Sequence, residues 1–136
     1  MTRKIAVNVC MTLDGYGEFP KYPWSDVRSK EPSEGFIDMW IKRYDSVDTI
    51  LYGRRSYEGH VDVHSESARK ASDPEYLFEF SRFLGRCQKI VLSRSLKRPI
   101  GRILGSEKKG DLKRIVARLK REPGKDIIVD AGPSLV

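Results

Sequence analysis

Asp48-Thr49-Ile50-Leu51-Tyr52-Gly53-Arg54-Arg55-Ser56 decides how the rest of the chain is read. Asp48 to Tyr52 forms a short, mostly apolar strand, and it runs without a spacer into a glycine, a basic pair and a hydroxyl. Glycine permits close backbone approach, and planar guanidinium forks match phosphate oxygens. In an open parallel sheet, ligands gather outside the carboxyl ends of the strands, where loops and helix starts present unused backbone N–H groups. The stretch therefore predicts a strand that ends in an anion-binding turn, followed by Tyr57 and Glu58.

Upstream, Ser33 is positioned to cap a helix whose apolar residues Phe36, Ile37, Trp40, Ile41 and Tyr44 share one face. Residues 15–32 hold too many Gly and Pro residues for a regular element yet carry aromatics, the composition of a functional loop. Ile5 to Met11 reads as the first strand, central in the sheet and buried on both faces. Downstream, residues 59–72 are expected to be polar and irregular. Asp73 then caps a helix with Pro74 at its first position and Tyr76, Leu77, Phe80, Phe83 and Leu84 on its apolar face. Lys89 to Ser93 is the next strand, and a weaker one follows at Arg102 to Leu104. Asp111 caps a third helix with Leu112, Ile115, Val116 and Leu119 at i, i+3, i+4 and i+7, which Pro123-Gly124 stops. Asp126 to Val129 is the last strand. This alternation predicts one α/β domain over residues 1–136 with a mainly parallel sheet.

A chain of 136 residues can bury a core without metal or disulfide staples. Its composition, 39% hydrophobic and 33% charged, includes no apolar run long enough to span a bilayer. The basic Met1 to Lys4 start is followed by an apolar stretch too short for a signal peptide, so a cytoplasmic protein is expected. Cys10 and Cys87 match no metal or redox spacing and read as reduced thiols. The formal charge of +7, from 26 basic and 19 acidic side chains, favours anionic partners: nucleic acid, anionic lipid or a phosphate-bearing cofactor.

Two more strand ends carry the same chemistry as Gly53 to Ser56. Leu92-Ser93-Arg94-Ser95 offers an apolar residue to pack on a base, then hydroxyls and a guanidinium group. Ala131-Gly132-Pro133-Ser134 offers a tight turn where a further helix would begin. Any one of these alone is an ordinary solvated turn; their order carries the information.

Met11-Thr12-Leu13-Asp14-Gly15, Leu51 to Gly59, Val91 to Ser95 and Gly124 to Leu135, in that order, resemble the dihydrofolate-reductase-like superfamily. The likeness is above all to the RibD C-terminal reductase domain of riboflavin biosynthesis and its stand-alone relatives, and it spans nearly the whole chain. It implies a three-layer αβα sandwich with a mainly parallel central sheet, here lacking the family's C-terminal strands. It also implies an NADPH-dependent oxidoreductase that transfers a hydride to a small heterocyclic or ribosylaminopyrimidine-like substrate. Carried over residue by residue, Gly53, Arg54, Arg55 and Ser56 hold cofactor phosphates, Leu92, Ser93, Arg94 and Ser95 the adenosine half, and Gly132, Pro133 and Ser134 the pyrophosphate. Val9 and Cys10 fall near the nicotinamide ring, and Asp14 and Trp24 at the substrate side. Arg54, Arg55 and Arg94 favour NADPH over NADH, because the additional phosphate needs fixed positive charge. Hydride transfer needs alignment rather than a protein nucleophile, so no catalytic side chain is assigned.

The chain departs from the family pattern in two places. Ala131 stands where the family has the first of two glycines, and relatives continue beyond the position of Val136 with a helix and strands that flank the first strand. An uncovered apolar edge invites pairing, so a homodimer or other homo-oligomer is expected. A dihydrofolate-type reductase is the alternative within the family, but it needs a buried carboxylate at the first helix. Asp38 falls opposite the apolar face there and Glu34 is marginal. Two alternatives come from other classes, a non-catalytic oligomerising remnant and a nucleic-acid-binding module. The latter would use Lys113, Arg114, Arg118, Lys120 and Arg121, which otherwise read as a solvated helix face. His60-Val61-Asp62-Val63-His64-Ser65-Glu66 alternates candidate metal ligands along an extended segment, but no second ligand cluster accompanies it and no metal is expected.

Overall fold

The elements in chain order are β1 (Ile5–Asn8), α1 (Glu34–Tyr44), β2 (Val47–Gly53), α2 (Arg54–His64), α3 (Glu75–Arg86), β3 (Gln88–Leu92), β4 (Ile103–Glu107), α4 (Leu112–Arg121) and β5 (Asp126–Asp130). A single 3-10 turn, Glu66–Ala68, links α2 to α3. The structure is a computed structural model and describes residues 2–9, 14–15, 34–93, 103–107 and 112–131.

Among the described residues five strands run parallel in one sheet of order β1-β5-β2-β3-β4. The chain steps outward from β2 to β3 to β4, then doubles back to insert β5 between β1 and β2. Side chains alternate across the sheet, so each central strand feeds two cores. On one side Ile50, Tyr52, Val91 and Ile128 meet Tyr44 of α1, Tyr57 of α2, and Phe83 and Leu84 of α3. On the other, Leu51, Ile90, Leu92, Ile127, Val129 and Ala131 meet Ile115 and Leu119 of α4. Val47 packs with the first set although its parity matches Leu51, because the β2–β5 register shifts between Val47 and Thr49. Helices on both faces of a parallel sheet make a three-layer α/β sandwich.

At the amino end, Arg3 ties three strands together. Its guanidinium group donates to the Asp48 carboxylate, the Lys125 carbonyl and, at 2.7 Å, the Thr49 hydroxyl. Asp48 Oδ2 also accepts from the Lys125 N–H at 2.7 Å. Lys89 closes the end of α3 by donating to the Leu84 carbonyl and, at 3.1 Å, the Cys87 carbonyl.

The structure corrects several sequence-based expectations. Among the described residues β1 lies at the sheet edge rather than the centre, paired with β5 alone, and Val7 is 51% exposed. Residues 54–64 form a helix where a turn and then an irregular segment were expected. Tyr57, His60 and His64 recur at i, i+3 and i+7 on its inner face, and burial of that face outweighs its low apolar content and central Gly59. The His60 to Glu66 segment is therefore helical up to His64 rather than extended. Pro74, not Asp73, occupies the cap of α3. Asp73 instead accepts from the Lys70 N–H at 3.0 Å and faces Arg69 at 3.6 Å. β4 runs Ile103–Glu107, longer than and shifted from the expected strand. The caps expected at Ser33 and Asp111, and the loop from 16 to 32, lie outside the described residues.

Candidate functional site at the carboxyl edge of the sheet

Strand register lines up the ends of four strands. Asn8 pairs with Asp130, Asp130 with Tyr52, and Tyr52 with Val91. One step further along, Gly53 pairs with Leu92 and Leu92 with Glu107, while Val9 and Ala131 follow Asn8 and Asp130. From β1 to β3 this edge crosses three strand spacings, about 14 Å. The expected sites at Val9, Gly53 and Leu92 thus share one edge.

α2 starts at that edge with no intervening loop. Gly53 is its N-cap in extended conformation (φ −75°, ψ 155°), makes no side-chain cap hydrogen bond, and is followed by a first turn free of acidic residues. The first N–H groups of α2 and its dipole therefore favour an anion beside Gly53. Arg54 and Arg55 are exposed there, and Ser56 is half-buried. Arg54 sits 3.7 Å from Glu58 in a surface pair, which a phosphate group can displace at little cost. Ser93, just past β3, is 8% exposed. Ala131 is 5% exposed and belongs to the core under α4, so its methyl group is absorbed by packing. Asp14 is exposed in a turn with Gly15. Cys10, Trp24, Arg94, Ser95, Gly132, Pro133 and Ser134 lie outside the described residues.

No family model matches the chain. The uncharacterized protein YyaP of Bacillus subtilis (strain 168) is 29% identical to it over 136 residues. That match covers 98% of this chain and 65% of YyaP, so the chain spans just under two thirds of its relative's length.

Beneath the edge lies a polar chain that sequence reasoning missed. Asn8 Nδ2 donates to Asp130 Oδ2 at 3.4 Å, His60 Nε2 lies 3.8 Å from the same oxygen, and His60 Nδ1 lies 3.1 Å from the Tyr52 hydroxyl. Burial lowers the His60 pKa below the ordinary histidine value, with Asp130 pulling it back up. Burial, then Asp130, raises that of Tyr52, so its phenol keeps its proton. A carboxylate only accepts, so the neutral imidazole carries its proton on Nε2 and accepts from Tyr52 at Nδ1. The only sequence signal was the spacing of Tyr57, His60 and His64, whose inward face is visible once the segment is read as a helix. Among the described residues no group of three His, Cys, Asp or Glu side chains could hold a metal ion. No described helix is long and apolar enough to cross a membrane.

Proposed function

We infer that this chain is an NADPH-binding reductase of the dihydrofolate-reductase-like superfamily, of the riboflavin-biosynthesis type, acting on a small heterocyclic or ribosylaminopyrimidine-like substrate. The observation that carries this reading is the alignment of Val9, Ala131, Gly53 and Leu92 along one carboxyl edge, with α2 opening at Gly53. A dinucleotide lies across such an edge with its phosphates on a helix start. The residues present fit the cofactor: Arg54 and Arg55 are exposed beside an acid-free helix start, and Ser93 lies one step past Leu92. When bound, NADPH supplies the hydride. The chain's own part is to bind and orient: Arg54, Arg55 and Ser56 hold phosphate oxygens, Val9 borders the ring, and the strand end at Ser93, anchored by Leu92 in the core under α4, carries the adenosine half. Asp38 is exposed on α1, which supports the riboflavin type over the dihydrofolate type.

Titration of the purified chain with NADPH and with NADH, followed by nicotinamide fluorescence, tests the reading. Saturable binding that prefers NADPH is expected. Arg54→Ala should weaken NADPH by about 10- to 100-fold, the loss of one charge-assisted contact, with an unchanged melting temperature. Equal affinity for the two cofactors, or binding indifferent to Arg54, would count against it.

A further inference from the structure

The half-buried His60 gives α2 a polar tie to the carboxyl edge, beside the packing of Tyr57 on Tyr52. His60 touches Tyr52 of β2 through Nδ1 and faces Asp130 of β5 through Nε2. The Tyr52 ring meets the imidazole edge-on at 5.4 Å. From α3 the facing side chain is Phe80, at 6.0 Å between ring centroids, and from α2 itself it is His64, at 5.4 Å. Tyr57 lies behind Tyr52 at 5.9 Å. Among the described residues Asp130 is thus the carboxylate that these contacts bring to the ring.

We propose that His60 is a positioning residue of the site: bridging Tyr52 and Asp130, its imidazole holds the carboxyl ends of β5 and β1 against α2, and gain of a proton loosens that hold. The geometry gives the reason. Asp130 Oδ2 is shared, 3.4 Å from Asn8 Nδ2 and 3.8 Å from His60 Nε2. While the imidazole is neutral, Asn8 keeps this oxygen, which adds a side-chain tie at the end of the β1–β5 backbone pairing. Once the imidazole is charged, the ion pair draws Oδ2 toward the ring and the Asn8 amide loses its acceptor. At the other nitrogen, Nδ1 becomes a donor, so the Tyr52 hydroxyl must turn to accept and its proton points into the core. Val9 and Ala131, the next residues of the two strands, move with this change.

The consequence for ligand affinity rests on the reading of this edge as an NADPH site; the coupling itself does not. Both are tested on the whole chain by nuclear magnetic resonance from pH 8 to mildly acidic pH, in parallel with NADPH titrations. The Val9 and Ala131 amide signals are expected to shift with the midpoint of the His60 ring, and NADPH affinity to fall several-fold over the same interval. In His60→Gln, which does not titrate there, both responses vanish; in His64→Gln they persist. Asn8→Ala, which leaves the His60 contacts in place, should abolish the Val9 response and spare that of Ala131. Amides that stay fixed while His60 titrates, or that move equally in His60→Gln, overturn the proposal. Coupled amides in a chain that binds no NADPH at any pH support the positioning role and overturn the cofactor reading instead.

Discussion

Arg3 has a side chain only 3% exposed, and its Nε and Nη2 groups face three acceptors: Asp48, Thr49 and the Lys125 carbonyl. Removing the cation takes the guanidinium donor from the Lys125 carbonyl, the Thr49 hydroxyl and Asp48, which keeps only its bonds from the Lys125 N–H and the Thr49 hydroxyl, and that desolvation penalty outweighs the lost attraction. Arg3→Met should therefore cost on the order of 3 kcal/mol, at the low end for breaking a buried pair because Asp48 stays partly exposed. Urea unfolding measures it, and a midpoint equal to that of the parent would refute the assignment. Gly124 shows the same site from the backbone. Its φ of +154° disfavours any side chain, and a Cβ there would lie 2.6 Å from Asp48 Oδ2. Gly124→Ala should lower stability by about 1–3 kcal/mol through backbone strain. Combined with Arg3→Met it should cost less than the sum of the two, since both disturb Asp48.

The elements differ in how much of themselves the sequence discloses. α4 could be read directly, because Leu112, Ile115, Val116 and Leu119 keep strict helical spacing, with Ile115 and Leu119 in the core, Leu112 against it and Val116 half-buried, while Lys113, Arg114 and Arg118 are exposed. Leu119 is 1% exposed, so Leu119→Ala should cost about 2–5 kcal/mol, and Lys120→Ala beside it almost nothing. Thermal melts of the two variants side by side decide whether α4 is a core element or only a charged cover. α2 could not be read in the same way. Gly59 breaks the helical pattern, and Asp62 between two valines imitates strand alternation. Only contact with Tyr52 and Phe80 makes the inner face worth burying. Strand rank was equally hidden. Ile5 to Val9 is as apolar as a central strand, and local composition carries no record of which neighbour is present. The motif turns at Gly53 and Leu92 were legible as chemistry, but that they pair directly is a fact of register.

For the molecule as a whole, the two ends of the sheet have separate tasks. The Arg3–Asp48 ion pair and the Lys125 backbone lock the amino end, whereas the carboxyl end is held by the neutral His60 among Tyr52, Asp130 and Asn8. The second arrangement is the acid-sensitive one. Burial depresses the His60 pKa in the folded chain, while in the unfolded chain it returns to about 6.5. Between these values the unfolded state binds the proton and the folded state does not, so the equilibrium shifts toward unfolding as pH falls. The stabilising contribution of a neutral His60 is complete above about pH 6.5 and is lost as pH falls through its folded value. Urea midpoints measured at neutral and at mildly acidic pH should therefore drop for the parent chain and drop less for His60→Gln. Carboxylates other than Asp130 contribute alike to both chains over that interval, so the difference between the two slopes reports the imidazole together with its Asp130 partner. Parallel slopes would mean that His60 takes up its proton in the folded chain as easily as in water, and the neutral bridge would have to be abandoned.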